Sequence, residues 1–157
     1  MKPIEGSWEY INRFIRLMTD YPEYRTLFYH RLGIAGKLLS ILCRPMPTLY
    51  IYTDDIGPGM FIQHGFATII TARKIGCNCW INQQVTIGFT NDTDYPTIGD
   101  NVTIYAGAKV LGDIKIGNGA IIGANAVITK NVPENCTVVG VPAYIVRRDG
   151  AKVKEPL

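Results

Sequence analysis

The chain has 157 residues, 47% of them hydrophobic, and its 16 Lys and Arg against 13 Asp and Glu give a formal net charge of +3. This length fits one domain with a small appendage. So mild a charge, without a dense basic run, argues against nucleic acid as a partner. The most apolar N-terminal run, residues 34–51, is interrupted by charges and prolines, and we expect no membrane span.

The four cysteines and the absence of a signal peptide predict a cytoplasmic protein in a reducing compartment. Cys77 and Cys79 form a C-x-C pair, but no second pair follows at the spacing of a zinc site. We therefore interpret the cysteines as structural and expect no metal.

Residues 1–48 predict a short α-helical cap. Trp8, Ile11 and Ile15 recur at helical spacing. Pro22 suits the first turn of a second helix, which Gly33 would end, and a third short helix would run over 34–43. We expect these helices to cover the open end of the repeat that follows.

Residues 49–148 carry a six-residue repeat. Every sixth residue is aliphatic, a glycine or small residue often follows it, and a second row of Val, Ala and Ile lies four positions after it. A period of six fits neither a helix nor an alternating strand, and it predicts a solenoid of short strands and turns. The clearest aliphatic row comprises Ile98, Ile104, Val110, Ile116, Ile122 and Ile128.

The repeat has two irregularities. The spacing slips by one residue between Ile62 and Ile69, around residues 63–65, and five extra residues separate Ile87 from Ile98. With these allowances, five coils of three hexads fit the chain. Insertions in a rigid repeat project as loops, which often carry function. The last residues, 149–157, form a polar tail that we expect to be frayed.

The motifs resemble a known family. Residues 98–132 and the GVPA of residues 140–143 resemble the bacterial hexapeptide acyltransferases. Three stretches resemble the serine acetyltransferase branch more narrowly: FIQHGFATII, NQQVTIG and YAGAKVLGDIKIGNGAIIGANAVI. The resemblance implies a mainly β fold, a left-handed parallel β-helix. It also implies a homotrimer with acetyl-CoA, the cosubstrate, in the groove between neighbouring prisms.

Acetyl transfer to a hydroxyl needs a base with a pKa near neutrality. His64 is the only histidine in the repeat, it lies at the slip, and we assign it as the general base. Backbone N–H groups near Gly88 or Gly107 are candidate donors to the oxyanion. The alternative for His64 is a structural histidine.

The sequence departs from the serine acetyltransferase pattern at three places. Gln63 replaces the aspartate before the histidine, and Asp94 and Tyr95 stand before the loop's proline where the family has arginine and a second histidine. Leu49 falls where the family has an aspartate that orients the base. We therefore predict an O-acetyltransferase whose acceptor is a sugar or polysaccharide hydroxyl. The alternative is a serine O-acetyltransferase of cysteine biosynthesis.

The remaining candidate residues each have a structural alternative: packing for Tyr95, solvated turns for the loop carboxylates, a side-chain ladder for Asn82 and a basic tail for the arginines. Small side chains permit the close approach of a pantetheine arm, and guanidinium groups bind phosphates. The acceptor candidates are Tyr95, Asp92, Asp94 and Asn82. The coenzyme candidates are Gly88, Ala106, Gly107, Ala124, Arg147 and Arg148.

Two other classes share this fold. Trimeric β-helix carbonic anhydrases bind zinc through three histidines, whereas this chain has only His30 and His64. A non-catalytic trimeric scaffold is the other class, because the orienting aspartate and the second histidine of the family are missing.

Overall fold

The computed structural model describes residues 6–157, with side chains from residue 8 onward. The first five residues of the predicted helical segment lie outside the described residues. The chain divides into two compact units, Met1–Pro47 and Thr48–Leu157.

The described part of the first unit contains three helices: α1 (Gly6–Asp20), α2 (Pro22–Leu32) and α3 (Ile34–Leu39). Pro22 occupies the first turn of α2, and Gly33, with φ of +58°, ends it, as predicted. The third helix is shorter than predicted because residues 40–43 form turns, with Leu42 N bonded to the Leu39 carbonyl at 3.0 Å. None of the described helices combines the length and the apolarity that crossing a bilayer requires.

A buried arginine ties the helical unit together. The Arg25 guanidinium donates to the carbonyl of Arg44 at 2.8 Å and to that of Met18 at the end of α1. The Thr26 hydroxyl accepts the amide of Met46 at 2.8 Å. These bonds compensate the burial of polar groups and fix the segment after α3 against α2.

The second unit is a parallel β-helix with three faces. Face A contains β1 (Leu49–Ile51), β3 (Thr68–Ile70), β6 (Thr86–Gly88), β9 (Lys109–Leu111) and β12 (Val127–Ile128). Face B contains β4 (Lys74–Ile75), β7 (Thr97–Ile98) and β10 (Lys115–Ile116). Face C contains β2 (Phe61–Ile62), β5 (Trp80–Ile81), β8 (Thr103–Ile104), β11 (Ile121–Ile122), β13 (Cys136–Val139), β14 (Tyr144–Arg148) and β15 (Ala151–Pro156).

The core of the β-helix is the predicted aliphatic row. Each of its six residues is at most 2% exposed, and the residues four positions later are at most 6% exposed. Strands one coil apart pair in parallel, for example Ile81 with Ile104 and Ile104 with Ile122. The prediction of five coils is confirmed, because face A contains one strand from each coil.

The predicted register was wrong in the second coil. Ile70 is fully buried and pairs with Ile51 and Ile87, whereas Ile69 points outward and is 39% exposed. Ile62 and Ile70 are therefore eight residues apart, and Ile70 and Ile75 only five. Two added residues and one missing residue produce the net slip of one that the sequence shows.

The prediction of a frayed tail was also wrong. Residues 151–156 form β15, which pairs antiparallel with β14 and extends face C. Arg148 and Glu155 form an ion pair at 2.6 Å, and Lys130 Nζ donates to the Leu157 carbonyl at 2.8 Å. Backbone pairing therefore orders this polar segment although it contributes little to the core.

Candidate active site

Corresponding turns can be aligned coil by coil where face C passes into face A. The backbone N–H groups of Gln63 and Asn82 each donate to a carbonyl of the coil that follows, at 2.9 and 3.0 Å. The backbone carbonyls of Phe66 and Gln83 each accept a hydrogen bond from a backbone N–H of the next coil, at 2.9 and 3.0 Å. Gln63 thus corresponds to Asn82, and Phe66 to Gln83. We call this edge, residues 63–67, 82–84, 105–107 and 123–125, the histidine corner.

His64 and Gly65 are an insertion in this corner. They separate Gln63 from Phe66, whereas Asn82 and Gln83 are adjacent in the chain. Both inserted residues have positive φ, +64° and +44°, and the Phe66 amide bonds back to the His64 carbonyl at 2.6 Å. A positive φ is uncommon for residues other than glycine, and such positions cluster at functional sites. The insertion projects the imidazole from the prism, where His64 is exposed.

Two amide side chains of the corner have unpaired oxygens. Asn82 Nδ2 donates to Gln63 Oε1 at 3.4 Å, which fixes the orientation of the Asn82 amide. Asn82 Oδ1 and Gln83 Oε1 are buried and have no hydrogen-bond donor among the described residues. Leaving such an acceptor unpaired costs about 1–3 kcal/mol. Both oxygens belong to the coil that follows the histidine insertion.

The predicted small-residue stripe lies on the same corner. Ala106 and Ala124 occupy successive coils in the column of Phe66 and Gln83. Gly107, with φ of +75°, has a structural reason to be glycine, because a Cβ there would lie 2.0 Å from Asn125 Oδ1. Its N–H already donates to the Gln83 carbonyl at 3.0 Å, so Gly107 is a poor candidate for an oxyanion donor.

The five-residue insertion lies at a different edge, where face A passes into face B. This loop, residues 89–96, is organised by Asp94, whose carboxylate accepts the amides of Thr90 and Asn91 at 2.8 Å each. It also accepts the Thr90 hydroxyl and, at 3.2 Å, the Asn91 side-chain amide. These hydrogen bonds, that of the Thr90 hydroxyl first, lower the pKa of Asp94. The carboxylate predicted to bind the acceptor is thus engaged within its own loop.

Replacing Asp94 with asparagine is expected to loosen this loop. The carboxylate accepts hydrogen bonds from Thr90 and Asn91 through both oxygens, and the NH2 group of asparagine, itself a donor, would take the place of one of those oxygens. In the wild type the pKa of Asp94 is lowered, so the ionised carboxylate stabilises the folded loop fully above the pKa of an unfolded aspartate. That contribution is lost as the pH falls through the lowered value. NMR chemical shifts of the Thr90 and Asn91 amides during an acid titration measure this.

Asp92→Asn is the matched control, because Asp92 is exposed on the same loop. Amide shifts of Thr90 and Asn91 that change equally in the two variants would contradict the role of Asp94.

The other loop candidates lie at this edge too. The half-buried Tyr95 ring packs edge-on against Phe89, with ring centroids 5.2 Å apart, while Asp92 is exposed. Gly88 is buried at the end of β6, where the loop begins. Within one chain the candidates near the two insertions therefore lie at different edges of the prism. His64, Asn82 and the small-residue stripe share one edge, and the loop residues share the other.

Arg147 and Arg148 have different surroundings. Arg148 pairs with Glu155 through two nitrogens, at 2.6 and 3.2 Å, and this pairing raises the pKa of Arg148. Arg147 is exposed and lines an open cleft of about 480 Å³ with residues of the turn between faces B and C, among them Gly119 and Asn135. That turn is a third edge of the prism. Arg147 remains a phosphate candidate, whereas Arg148 already has a carboxylate partner.

Sequence reasoning missed two features of the site. The slip of one residue concealed a two-residue insertion, because the missing residue between Ile70 and Ile75 offsets half of it. The unpaired side-chain oxygen of Gln83 has no signature in a single sequence. Within residues 6–157, no three His, Cys, Asp or Glu side chains are grouped so as to hold a metal ion.

Comparisons with known proteins support the resemblance. Residues 95–130 match the family model described as bacterial transferase hexapeptide (six repeats). A serine acetyltransferase of Synechococcus elongatus is 38% identical, and the match covers 91% of this chain and 64% of that protein. One of Staphylococcus aureus strain Mu50 is 42% identical over 81% of this chain and 62% of its own.

A solved structure of serine acetyltransferase from Brucella abortus strain S19 superposes with a TM-score of 0.74, at 28% identity over 92% of this chain and 64% of that chain. A serine acetyltransferase in complex with CoA has a TM-score of 0.57, at 29% identity over 80% of this chain and 55% of its own. The chain thus spans less than two thirds of the length of these relatives. The predicted left-handed parallel β-helix is confirmed, and the chain is similar to the hexapeptide-repeat acyltransferases of the serine acetyltransferase type.

Proposed function

We propose that this protein is an acetyl-CoA-dependent O-acetyltransferase with His64 as its general base. The observation that carries the proposal is the insertion at the histidine corner, which exposes an imidazole at the same edge of the prism as Ala106 and Ala124, two and three coils further on. The relatives are named serine acetyltransferases, and one structural neighbour is a complex with CoA. These similarities favour the hydroxyl of serine as the acceptor over the sugar hydroxyl that the sequence departures suggested.

The chemistry proposed for His64 is a single proton relay. The imidazole removes the proton from the acceptor hydroxyl as that oxygen attacks the thioester carbonyl. The carbon–sulfur bond then breaks, and the imidazolium returns the proton to the departing thiolate. The products are the O-acetyl ester and free coenzyme A, and the histidine is regenerated. The small side chains of Ala106 and Ala124 would let the pantetheine arm approach the backbone.

We further propose a homotrimer in which two subunits complete each site. The base and the loop lie at different edges of one prism, so one chain does not bring them together. In a closed ring, one surface of each subunit contacts a different surface of the next subunit. The histidine corner of one subunit would then face the loop of the next. Sedimentation equilibrium should give three times the chain mass of 17.4 kDa.

The acceptor is tested by thiol release from acetyl-CoA. We expect release by the purified protein to depend on L-serine, with little stimulation by monosaccharides, because the named relatives act on serine. Mass spectrometry of the product should show O-acetylserine. Release with a monosaccharide but not with L-serine would contradict the proposed acceptor. Absence of CoA binding by calorimetry in an intact trimer would instead favour the scaffold.

A further inference from the structure

A histidine that acts as a general base needs a hydrogen-bond partner that orients its ring. A neutral imidazole has one free ring nitrogen, and a hydrogen bond from the N–H of the other nitrogen selects which of the two is free to act as the base. Leu49, at the position of the family's orienting aspartate, is apolar and only 4% exposed. The histidine corner itself has no acidic side chain: apart from His64, residues 63–67, 82–84, 105–107 and 123–125 are neutral at pH 7.

An acceptor oxygen without a donor is available in the next coil. Phe66 is the first residue after the His64–Gly65 insertion. Gln83 corresponds to Phe66 and lies one coil further along the prism. Its Oε1 is buried and has no hydrogen-bond donor in the part of the chain that the structure describes. Asn82 also has an unpaired oxygen, but its amide is bonded to Gln63 at 3.4 Å and its stem is shorter by one methylene. Gln83 therefore has the greater freedom to meet the imidazole.

We propose that Gln83 Oε1 accepts a hydrogen bond from one ring N–H of His64, and so orients the base in place of a carboxylate. This inference rests on the proposed role of His64. The bond would hold one tautomer, leave the other nitrogen free for the acceptor hydroxyl, and stabilise the imidazolium during transfer. Hydrogen bonds of catalytic groups are often long without substrate and shorten in the complex. Gln83 is thus a positioning residue.

In the described chain, two titratable side chains besides His64 belong to the histidine corner or contact it. Lys109 on β9 donates its ammonium group to the Gln84 carbonyl at 2.7 Å and to the Thr86 hydroxyl at 3.1 Å. The exposed Tyr105 phenol, in the column of Asn82, is the other titratable group of the corner. Neither is altered in the variants below, so a changed pH profile reports the bond from position 83.

Two variants of Gln83 test the inference. Gln83→Met keeps the length of the side chain but removes the acceptor, and we expect kcat to fall by about 10- to 100-fold with the KM for acetyl-CoA within about twofold. Gln83→Glu restores an acceptor with a negative charge. It should keep more activity than the methionine variant and move the acid limb of kcat/KM upward by about one pH unit, because a nearby carboxylate favours the imidazolium.

Gln84→Met is the matched control, being the exposed neighbour in the same turn, and should leave kcat and the pH profile unchanged. Long-range ¹⁵N–¹H NMR supplies a readout besides activity, because the chain has only two histidines. One tautomer of His64 should dominate in the wild type and both should appear in Gln83→Met.

Unchanged kcat, pH profile and tautomer in both Gln83 variants would overturn the inference. If His64→Ala is inactive in the same series, that failure concerns Gln83 alone. If His64→Ala keeps its activity, the proposed base has failed instead.

Discussion

His64→Ala is expected to lower kcat for acetyl transfer by about 10²- to 10⁴-fold, the usual contribution of a positioned general base. The KM for acetyl-CoA should change little, because the small residues proposed to hold the pantetheine arm, Ala106 and Ala124, belong to other coils. The measurement is steady-state release of the thiol, followed against acetyl-CoA and against L-serine. Circular dichroism and sedimentation should match those of the wild type, because the side chain of His64 is exposed and takes no part in the core of its own prism.

His30→Gln is the control for this experiment, since His30 lies on α2 in the helical unit. Its turnover should remain within about twofold of the wild type. A His64→Ala protein with undiminished kcat would remove the base from the proposal, while leaving the fold and the coenzyme site to be tested separately.

Ile70→Ala should destabilise the protein by about 2–5 kcal/mol, as expected when a fully buried isoleucine leaves a cavity in a close-packed core. Ile69→Ala, the adjacent and 39% exposed position, should cost less than about 1 kcal/mol. The two variants remove the same atoms from neighbouring residues of β3, so their difference isolates burial. Urea unfolding followed by circular dichroism, at one protein concentration because of the proposed trimer, gives both free energies.

This pair also tests the register. A slip of one residue, with Ile69 in the core, would make Ile69→Ala the more damaging change. A larger loss of stability for Ile69→Ala than for Ile70→Ala would therefore contradict the alignment of the histidine corner.

Much of the fold could be predicted from the sequence because the repeat is local. The row from Ile98 to Ile128 keeps a period of six, and a solenoid buries each hexad against the next coil alone. The register around His64 could not be predicted in the same way. Ile69 and Ile70 are chemically identical, and only the pairing of β3 with its neighbours decides which one is buried.

The candidate site was harder to predict from the sequence than the fold. Single residues such as His64 could be selected by type and by their position at an irregularity. Which candidates share an edge depends on the number of residues in every turn between them, and one uncertain turn is enough to misplace a group. The engagement of Asp94 by Thr90 and Asn91, and the unpaired oxygen of Gln83, depend on side-chain directions that no spacing encodes.

The antiparallel hairpin formed by β14 and β15 has a consequence for aggregation. A parallel solenoid tends to recruit further strands, because its last coil offers unpaired backbone groups to any extended chain. On face C that exposed rim belongs to β15, which carries Lys152, Lys154, Glu155 and Pro156. Clustered charge and proline are what natural proteins place on an open rim to prevent end-to-end polymerisation. The polar composition of residues 149–157, which predicted a frayed tail, is therefore suited to an edge strand. Its charges and proline hinder further strands from pairing with face C and so oppose the growth of fibres.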